Sequence, residues 1–411
     1  MKDCTPIHNC LACGSNQLVP TLDLKNQPLA NNFRSTDNMS AEVSYPLAIN
    51  RCDNCNHLQL THIVDPNLIY THYLYVSSTS RTYVEYMDWY ARFVLEYFDT
   101  YPNTVLDIGC NDGGQLNSFK NLLLATYGVD PAENLFPLSS KNHNVRCGFW
   151  DELTAGSFND IKFDIITSQN AFSHIPDPLA YLKLVKRNLD DNGHMFISTS
   201  QADMVVNGEF DTIYHEHISF YNTSSMKALA ERAGLFLQDV VKTPIHGTSY
   251  IFVLGKEDIN PAHVENIIAM ENAAGLQSAE TYTNWATGVY NLLDLLNQQI
   301  EVYRENGYSI VGYGAAAKGM TLLNASGVRL DAVVDDNPLK QGTWCPGNNA
   351  PVFGPDYIEN LPHSSRVVFI PLAWNFYKEI VERIRKIRTN EEDFFLRYFP
   401  YIKAQTYDRP V

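Results

Sequence analysis

The stretch 104–131 constrains the fold more than any other part of the sequence. Its aliphatic start breaks at a cluster of glycines at 109–114, a pattern typical of a buried strand that enters a tight turn. A second apolar segment, 125–129, ends at Asp130. In an open parallel sheet, ligands bind at the carboxyl ends of the strands, where a glycine turn permits close approach and an acid on the next strand reaches a ribose. The two segments therefore predict an adenosine pocket.

The turn also separates two families of nucleotide-binding proteins. The nicotinamide fingerprint G-x-G-x-x-G is absent, because Gly109 is followed by Cys110 and Asn111. The motif Asp107-Ile-Gly109-Cys-Asn-Asp112-Gly113, with Asp130 on the next strand, resembles the class I S-adenosylmethionine-dependent methyltransferases. An ordinary strand–helix turn of another α/β domain is the alternative. The resemblance implies S-adenosylmethionine as cofactor, with these binding residues: Asp107, Gly109, Asp112, Asp130, Phe149, Gln169 and Asn170.

Length and charge limit the class of protein. At 411 residues, the chain is long enough for two or three domains. Its 30 Lys and Arg against 46 Asp and Glu give a net charge of −16, which argues against nucleic acid or an anionic membrane as the main partner. Neither a membrane-spanning apolar run nor a signal peptide is recognisable, so we expect a cytoplasmic enzyme. We also expect it to be a monomer.

Two C-x-x-C pairs lie near the start of the sequence, Cys10-Leu-Ala-Cys13 and Cys52-Asp-Asn-Cys55, with 38 residues between them. Two such turns supply the four thiolates of a tetrahedral zinc ion, and a shell closed by four protein ligands is structural. Disulfides are disfavoured in a chain without an export signal, and a redox site needs only one pair. We therefore predict structural zinc bound by Cys10, Cys13, Cys52 and Cys55.

Two alternatives remain for this cysteine segment. Four nearby residues lie close enough in the sequence to replace one of the ligands: Cys4, His8, His57 and His62. A zinc ribbon that binds nucleic acid is the other alternative, and the absence of a Lys/Arg cluster from the segment disfavours it.

The middle of the chain has the alternating pattern of a parallel α/β sheet. Apolar residues at intervals of three and four predict an amphipathic helix from Ser80 to Phe98, and the hydroxyl-rich loop 73–78 before it is a candidate lid over the cofactor. The predicted strands are 104–108, 124–129, 145–149, 163–168 and 194–199, and the predicted helices are 115–123, 132–140 and 178–188. Segments 236–242 and 248–255 predict an antiparallel hairpin at one edge.

The segment Tyr214-His215-Glu216-His217 follows the fifth predicted strand and so lies on the cofactor side of the sheet. A metal site is disfavoured, because His215 and His217 are two residues apart and no third ligand has zinc spacing. A solvated loop is a second alternative. We favour acid–base chemistry, because a histidine takes up a proton near neutral pH and a neighbouring carboxylate orients it. A tyrosine hydroxyl beside them can donate to a developing oxyanion.

Across almost the whole chain, the order of the motifs resembles the C-methyltransferases that act on nucleotide-linked 4-keto-6-deoxy sugars. The motifs that carry this resemblance are the paired cysteines, the 107–113 turn, Tyr214-His215-Glu216-His217, the Gly247 hairpin, Gly312-Tyr-Gly314-Ala-Ala-Ala-Lys318-Gly319, Asp335-Asp336-Asn337-Pro338 and Leu372-Ala-Trp374-Asn375. It implies an α/β protein with a class I methyltransferase sheet, an N-terminal zinc-binding module and a C-terminal Rossmann-like domain. It also implies methyl transfer to C-3 of a sugar linked to TDP or GDP, through an enolate made by a protein base.

The same resemblance implies roles for five residues. His217 is the base that removes the C-3 proton, Glu216 and Tyr214 are its partners, Tyr75 lies near the same pocket, and His174 lies close to the cofactor. Two departures leave the substrate's details open: the hairpin has His246-Gly247-Thr248 where a second glycine is common, and the region around Tyr75 aligns only loosely.

The last part of the chain contains a second nucleotide-binding pattern. A helical connector is expected over 260–306, and G-x-G-x-x-A then begins at Gly312, with an acid about 20 residues on, which is a dinucleotide fingerprint. An NAD(P)-dependent sugar-nucleotide oxidoreductase is therefore an alternative function, and a non-enzymatic zinc scaffold is another. The resemblance implies instead that this domain holds the sugar nucleotide through Lys318, Asn337, Trp374 and Asn375. Packing at a domain interface is an equally good reading of Trp374. The predicted domains are 1–70, 71–258 and 259–411.

Overall fold

The computed structural model describes residues 3–35, 42–71, 76–79, 81–158, 160–199, 203–244 and 248–406. They form two compact units. The first unit comprises Met1–Pro20, Ile49–Asp203 and Glu216–Ser278, and the second comprises Thr21–Ala48, Met204–His215 and Ala279–Val411. The division into three domains that the sequence predicts remains a proposal.

The elements up to the end of the central sheet are β1 (Cys4–Pro6), β2 (Leu18–Pro28), β3 (Ser44–Cys52), β4 (Leu58–Leu60), β5 (His62–Val64), α1 (Asn67–Tyr70), α2 (Arg81–Leu95), β6 (Thr104–Ile108), α3 (Gly114–Asn121), β7 (Ala125–Asp130), α4 (Phe136–Ser139), β8 (Asn144–Cys147), α5 (Glu152–Gly156), β9 (Phe163–Gln169), α6 (Pro178–Asn188) and β10 (Leu189–Thr199). The remaining elements are α7 (Asp203–Asn207), β11 (Ser219–Phe220), α8 (Thr223–Ala233), β12 (Phe236–Thr243), β13 (Ser249–Gly255), α9 (Pro261–Ala273), α10 (Ala279–Glu305), β14 (Ser309–Tyr313), α11 (Ala317–Ser326), β15 (Ala332–Val334), β16 (Val352–Phe353), α12 (Asp356–Glu359), β17 (Val367–Pro371), α13 (Tyr377–Ile387), β18 (Phe394–Arg397) and β19 (Lys403–Thr406).

The first unit is built on a seven-stranded sheet with the order β12-β13-β10-β9-β6-β7-β8. Strands β6 to β10 are parallel, and the β12–β13 hairpin is antiparallel to them at one edge. The central strands are buried on both faces, which explains their unbroken aliphatic runs. The predicted strands and the predicted hairpin are confirmed. The predicted helix at 132–140 is too long, because only four of its residues form α4.

Helix α2 covers one face of this sheet, as its periodicity predicts. Its residues Tyr90, Ala91 and Val94 are fully buried in a cluster that also contains Val105 of β6 and Phe196 of β10. Trp89, in contrast, is 42% exposed. The amphipathic helix is therefore confirmed, and its aromatic stripe is core packing.

The second unit contains a six-stranded sheet with the order β16-β15-β14-β17-β18-β19, in which only the pairing of β18 with β19 is antiparallel. The G-x-G-x-x-A turn that begins at Gly312 joins strand β14 to helix α11, as such a fingerprint predicts. The helical character predicted for 260–306 is confirmed. Two helices, α9 and α10, occupy this range, because Gly275 adopts φ +88° just after α9 and ends it.

Among the residues described, no helix combines the length and the apolar character that a bilayer crossing requires.

Glu271 on α9 is a buried carboxylate that contacts the first residue of α8. Its two oxygens accept hydrogen bonds from the backbone N–H of Thr223 at 3.0 and 3.1 Å, and the Thr223 hydroxyl also donates to it. Burial raises the pKa of Glu271 from 4.5 to about 7. A raised carboxyl pKa means that the folded state binds the proton more tightly. The contribution of Glu271 to the free energy of unfolding is therefore complete below the pKa of the unfolded state, and it is lost as pH rises through the pKa of the folded state.

We expect the substitution Glu271→Gln to flatten the dependence of the free energy of unfolding on pH. The shift in the pKa of Glu271 corresponds to about 3 kcal/mol of stability lost between about pH 5 and pH 8. Glutamine keeps an acceptor for Thr223 and cannot ionise. Urea unfolding at several pH values measures the difference, and Glu265→Gln on the exposed side of α9 is the control. Parallel pH curves for wild type and Glu271→Gln would contradict the expectation.

Candidate functional site

The turn after β6 has a conformation that requires glycine. Gly109 adopts φ +89°, a region that side-chain-bearing residues rarely occupy. A Cβ on Gly109 would lie 2.6 Å from the Cβ of Ala171, in the segment after β9. The turn therefore approaches the end of β9 more closely than any side chain would permit.

Asp130 at the end of β7 closes this turn. One carboxylate oxygen accepts a hydrogen bond from the N–H of Asn111 at 2.8 Å, and the other accepts from the N–H of Ala132, also at 2.8 Å. Burial is the main cause of a raised pKa for Asp130. Each carboxylate oxygen has two lone pairs, so both can still accept a further hydrogen bond. Asp130 can therefore hold the turn and a ribose hydroxyl together.

Asp107, near the end of β6, is a second buried carboxylate of this pocket. It is only 3% exposed, and its Oδ1 has no hydrogen-bond partner among the described residues. Burial, and then the nearby Asp130, raise the pKa of Asp107 to about 8. A cationic ligand would satisfy this oxygen and favour the ionised form. The pocket therefore fits S-adenosylmethionine, which carries a sulfonium and an ammonium group.

The loop before α2 reaches the other side of the glycine turn. The Asp112 carboxylate accepts a hydrogen bond from the N–H of Ser78 at 3.2 Å, and the Asn111 side chain accepts from the N–H of Ser77 at 3.0 Å. These contacts place the end of the predicted lid loop at the cofactor turn. Tyr75, which the resemblance assigns to the pocket, lies outside the described residues.

Three more predicted cofactor residues lie at the carboxyl ends of two parallel strands, β8 and β9. Phe149 follows β8 and is 37% exposed. Gln169, the last residue of β9, donates a hydrogen bond to Gln115 at 2.7 Å. Asn170 has φ +54° and donates to the hydroxyl of Tyr83 on α2 at 3.1 Å. The structure thus brings these side chains to one rim, and their contacts with the cofactor remain predictions.

His174 and His217 form a pair in the first unit. His174 lies a few residues past Asn170, and its ring stacks on that of His217 with centroids 5.2 Å apart and an interplanar angle of 24°. The N–H of Ile218 donates to the carbonyl of Ser173 at 2.8 Å, which fixes the two segments side by side. His217 is 8% exposed. Its imidazole is therefore sheltered from solvent, next to the segment that ends at the cofactor rim.

The two residues before His217 are also buried, so the alternative of a solvated loop is wrong. Glu216 is 4% exposed, and its backbone carbonyl accepts a hydrogen bond from the Tyr70 hydroxyl at 3.2 Å. His215, in the second unit, has a ring nitrogen 3.2 Å from the carbonyl oxygen of Tyr45, and burial lowers the pKa of His215 to about 4. Tyr214 is half-buried.

The four predicted zinc ligands converge. Their sulfur atoms all lie within 4.8 Å of one another, with Cys10 to Cys55 and Cys13 to Cys52 each at 3.6 Å. Tetrahedral zinc with bonds of about 2.3 Å places its sulfurs about 3.8 Å apart, so the geometry fits the ion. The hydrogen bond from Cys55 lowers the pKa of Cys10 to about 4, which favours the thiolate that binds zinc. In the described ranges, these cysteines are the only group of three or more candidate metal ligands.

A polar cluster in the second unit contains two predicted substrate residues. Lys318, in the first turn of α11, lies over the ring of Trp374 at 5.3 Å. The Trp374 indole donates to Asp211 at 2.9 Å, and the hydroxyl of Tyr398 donates to the same carboxylate oxygen at 3.0 Å. Sequence reasoning missed Asp211. The only sign of Asp211 in the sequence is its place between the apolar residues Phe210 and Ile213, which indicates a buried acid. A buried carboxylate requires hydrogen-bond partners.

The other two predicted substrate residues have different surroundings. Asn337 lies just past β15, and its N–H donates to the carboxylate of Asp335 at 2.8 Å. The second oxygen of Asp335 accepts from the N–H of Ala315 at 2.6 Å, which closes the glycine turn of this sheet. Asn375 is exposed to solvent. The substrate roles of all four residues remain predictions.

Comparisons with known proteins cover nearly the whole chain. Residues 10–70 match a domain described as zinc-binding, residues 79–240 match a methyltransferase domain, and residues 244–400 match a C-methyltransferase C-terminal domain. The chain is 27% identical over 405 residues to the C-methyltransferase NovU of Streptomyces niveus, across 95% of both proteins. The chain belongs to the S-adenosylmethionine-dependent C-methyltransferases with an N-terminal zinc-binding module.

Two further similarities involve only part of the C-methyltransferase. A ubiquinone biosynthesis O-methyltransferase of Coxiella burnetii is 27% identical over 172 residues, 37% of this chain and 72% of the relative. A solved S-adenosylmethionine-dependent methyltransferase of Clostridium acetobutylicum matches over 42% of this chain and 90% of that protein's chain, at 14% identity and a TM-score of 0.34. The prediction of an S-adenosylmethionine-dependent C-methyltransferase with an N-terminal zinc-binding module is confirmed.

Proposed function

We propose that the C-methyltransferase methylates C-3 of a nucleotide-linked 4-keto-6-deoxy sugar, with His217 as the base. The observation that carries the proposal is the buried His217, whose ring stacks on that of His174 beside the segment that ends at the cofactor rim. The order of motifs across the chain, which resembles the sugar C-methyltransferases, supports the choice of substrate class.

The chemistry requires one base and a donor near the carbonyl. Carbon is a poor nucleophile unless its C–H bond lies next to a carbonyl, and a 4-ketone makes the C-3 proton acidic. His217 takes this proton and leaves an enolate, whose oxygen a neighbouring hydroxyl donor such as Tyr214 stabilises. Glu216 would favour the charged imidazolium. S-adenosylmethionine supplies an already activated methyl group when bound, so the protein's main task is alignment, which can be worth roughly 7–11 kcal/mol of the barrier.

The nucleotide part of the substrate requires contacts for a diphosphate and a base. Lys318 carries a positive charge at the start of a helix, where backbone N–H groups also favour anions. The Trp374 ring beside it offers an aromatic face. We include Lys318, Trp374, Asn337 and Asn375 in the proposal as the residues that contact the nucleotide.

Mass spectrometry on a substrate panel tests the proposal. The purified enzyme is incubated with labelled S-adenosylmethionine and TDP- or GDP-linked 4-keto-6-deoxy sugars, and the matching 4-hydroxy sugars serve as controls. We expect a gain of one CH2 group and transfer of the label on a keto sugar only. Equal methylation of a 4-hydroxy sugar, or no methylation of any keto sugar, would contradict the enolate mechanism and this substrate class.

A further inference from the structure

Tyr70, the last residue of α1, contacts both histidine-bearing segments of the site. Its ring stacks on that of His174, with centroids 5.4 Å apart and an interplanar angle of only 13°. Its hydroxyl donates a hydrogen bond to the backbone carbonyl of Glu216 at 3.2 Å. Glu216 immediately precedes His217. The Tyr70 side chain therefore restrains the proposed base in two ways, through the backbone next to His217 and through the His174 ring that stacks on His217.

His174 is suited to transmit this restraint. It is half-buried, and burial lowers the pKa of His174 to about 4, so its ring is neutral near neutral pH. Its Nε2 is buried and has no hydrogen-bond partner in the described part of the chain. The faces of the imidazole, in contrast, stack on the rings of Tyr70 and His217. The orientation of His174, and of the His217 ring stacked on it, therefore depends on the Tyr70 ring.

The same end of α1 is also tied to the cofactor side of the site. The carbonyl of Thr71, the residue after Tyr70, accepts a hydrogen bond from the N–H of Glu133 at 3.3 Å. Glu133 lies three residues past Asp130, the acid that closes the glycine turn. One short segment thus joins the ribose side of the pocket to the segment that carries His217.

We propose that Tyr70 is a positioning residue that sets the His217 imidazole relative to the cofactor. This inference rests on the proposed function, because it takes His217 as the base. Tyr70 acts through Glu216 and His174 and need not touch the substrate. Loss of its two contacts should lower the rate of the chemical step and leave cofactor affinity unchanged, because the contacts of Asp107 and Asp130 do not involve it.

Two substitutions separate the ring contact from the hydrogen bond. Tyr70→Phe keeps the ring and loses the hydroxyl, and we expect kcat to fall about tenfold, as for the loss of one hydrogen bond. Tyr70→Leu loses both contacts, and we expect kcat to fall about a hundredfold, the cost of a misplacement of about 1 Å. In both variants, KM for S-adenosylmethionine should stay within about twofold of the wild-type value, because neither substitution removes a contact with the bound cofactor.

Tyr101 provides a matched control. It is 56% exposed, lies outside the site, and also donates its hydroxyl to a backbone carbonyl, that of Leu122 at 2.5 Å. We expect Tyr101→Phe and Tyr101→Leu to keep wild-type kcat. If kcat also falls in the Tyr101 variants, loss of a tyrosine hydrogen bond lowers kcat by destabilising the whole protein. That result would overturn the positioning role of Tyr70.

NMR of protein labelled with 13C-histidine gives a readout that needs no sugar substrate. Ring stacking shifts the chemical shifts of the imidazole C–H groups of His174 and His217. The signals that disappear from the spectra of His174→Gln and His217→Gln assign these two residues. We expect Tyr70→Leu to move both signals and Tyr101→Leu to move neither. If Tyr70→Leu leaves the His217 signal in place, the inference is wrong, whatever happens to turnover. If the signals move and wild type methylates no keto sugar, the positioning contact stands and the proposed substrate fails.

Discussion

We expect the substitution His217→Asn to lower turnover by about a hundredfold or more, the usual range for loss of a general base. Asparagine keeps a polar side chain of similar shape and cannot take a proton near neutral pH. The burial of His217 and its stacking on His174 carry this expectation, because solvent has little access to the position of the lost imidazole. Steady-state kinetics with labelled S-adenosylmethionine and the keto sugar measure the loss, and calorimetry should show unchanged cofactor affinity.

The proton itself offers a sharper test of the base. With S-adenosylhomocysteine in place of the methyl donor, the wild-type enzyme in deuterated water should exchange the hydrogen at C-3, and His217→Asn should not. The control is His263→Asn on α9, which removes an exposed histidine paired with Asp239 at 2.8 Å. Wild-type turnover in His217→Asn, or exchange at an unchanged rate, would remove His217 from the mechanism.

The sequence predicts the central sheet well, because each of its strands is encoded locally. The glycine turn at 109–114 and the aliphatic runs around it identify the strands that flank the pocket, and the acid at Asp130 lies where the pattern indicates. Helix lengths are less predictable. Gly275 ends α9 inside a range that otherwise has the composition of one helix, because a single residue with positive φ outweighs the surrounding propensity.

The two strand-end acids show what spacing alone cannot distinguish. Asp130 and Asp335 each accept two backbone hydrogen bonds, one from the glycine turn and one from the residue two positions later. The acid of a dinucleotide fingerprint is therefore also the residue that closes a strand–turn–helix unit. A sequence that contains the fingerprint need not bind a dinucleotide, and this explains why the second unit matches the pattern in a C-methyltransferase.

Long-range contacts account for what the sequence could not predict in the site. The polar composition of 214–217 is compatible with a solvated loop, and its burial comes from residues far away in the chain, such as Tyr70 at a separation of 146 residues. Asp211 is a similar case, since its partner Trp374 lies 163 residues later. A buried carboxylate needs donors, but one sequence does not reveal which donors they are.

The second large effect is expected from the zinc site. Structural zinc contributes its binding free energy to folding, and apparent values for zinc-finger peptides reach about 10–16 kcal/mol. In this protein the ligands are part of the main core: Cys10, Cys52 and Cys55 are buried in the same apolar cluster as Leu106 of β6 and Phe172, just past β9. Loss of the metal would leave several thiols packed in this core without their common partner.

We therefore expect Cys52→Ser to lose most of its bound zinc and to unfold at a much lower temperature than wild type, with loss of near-UV circular dichroism from the first unit. Metal analysis and thermal unfolding measure the two effects, and addition of a strong chelator to wild type should reproduce them. Cys147→Ser, which changes an exposed cysteine, should keep one zinc per chain and the wild-type Tm. Because the zinc ligands pack against the same core as the strands that form the cofactor pocket, chelation should also weaken binding of S-adenosylmethionine. A Cys52→Ser protein that keeps its zinc and its Tm would show that the four sulfurs approach one another without sharing an ion.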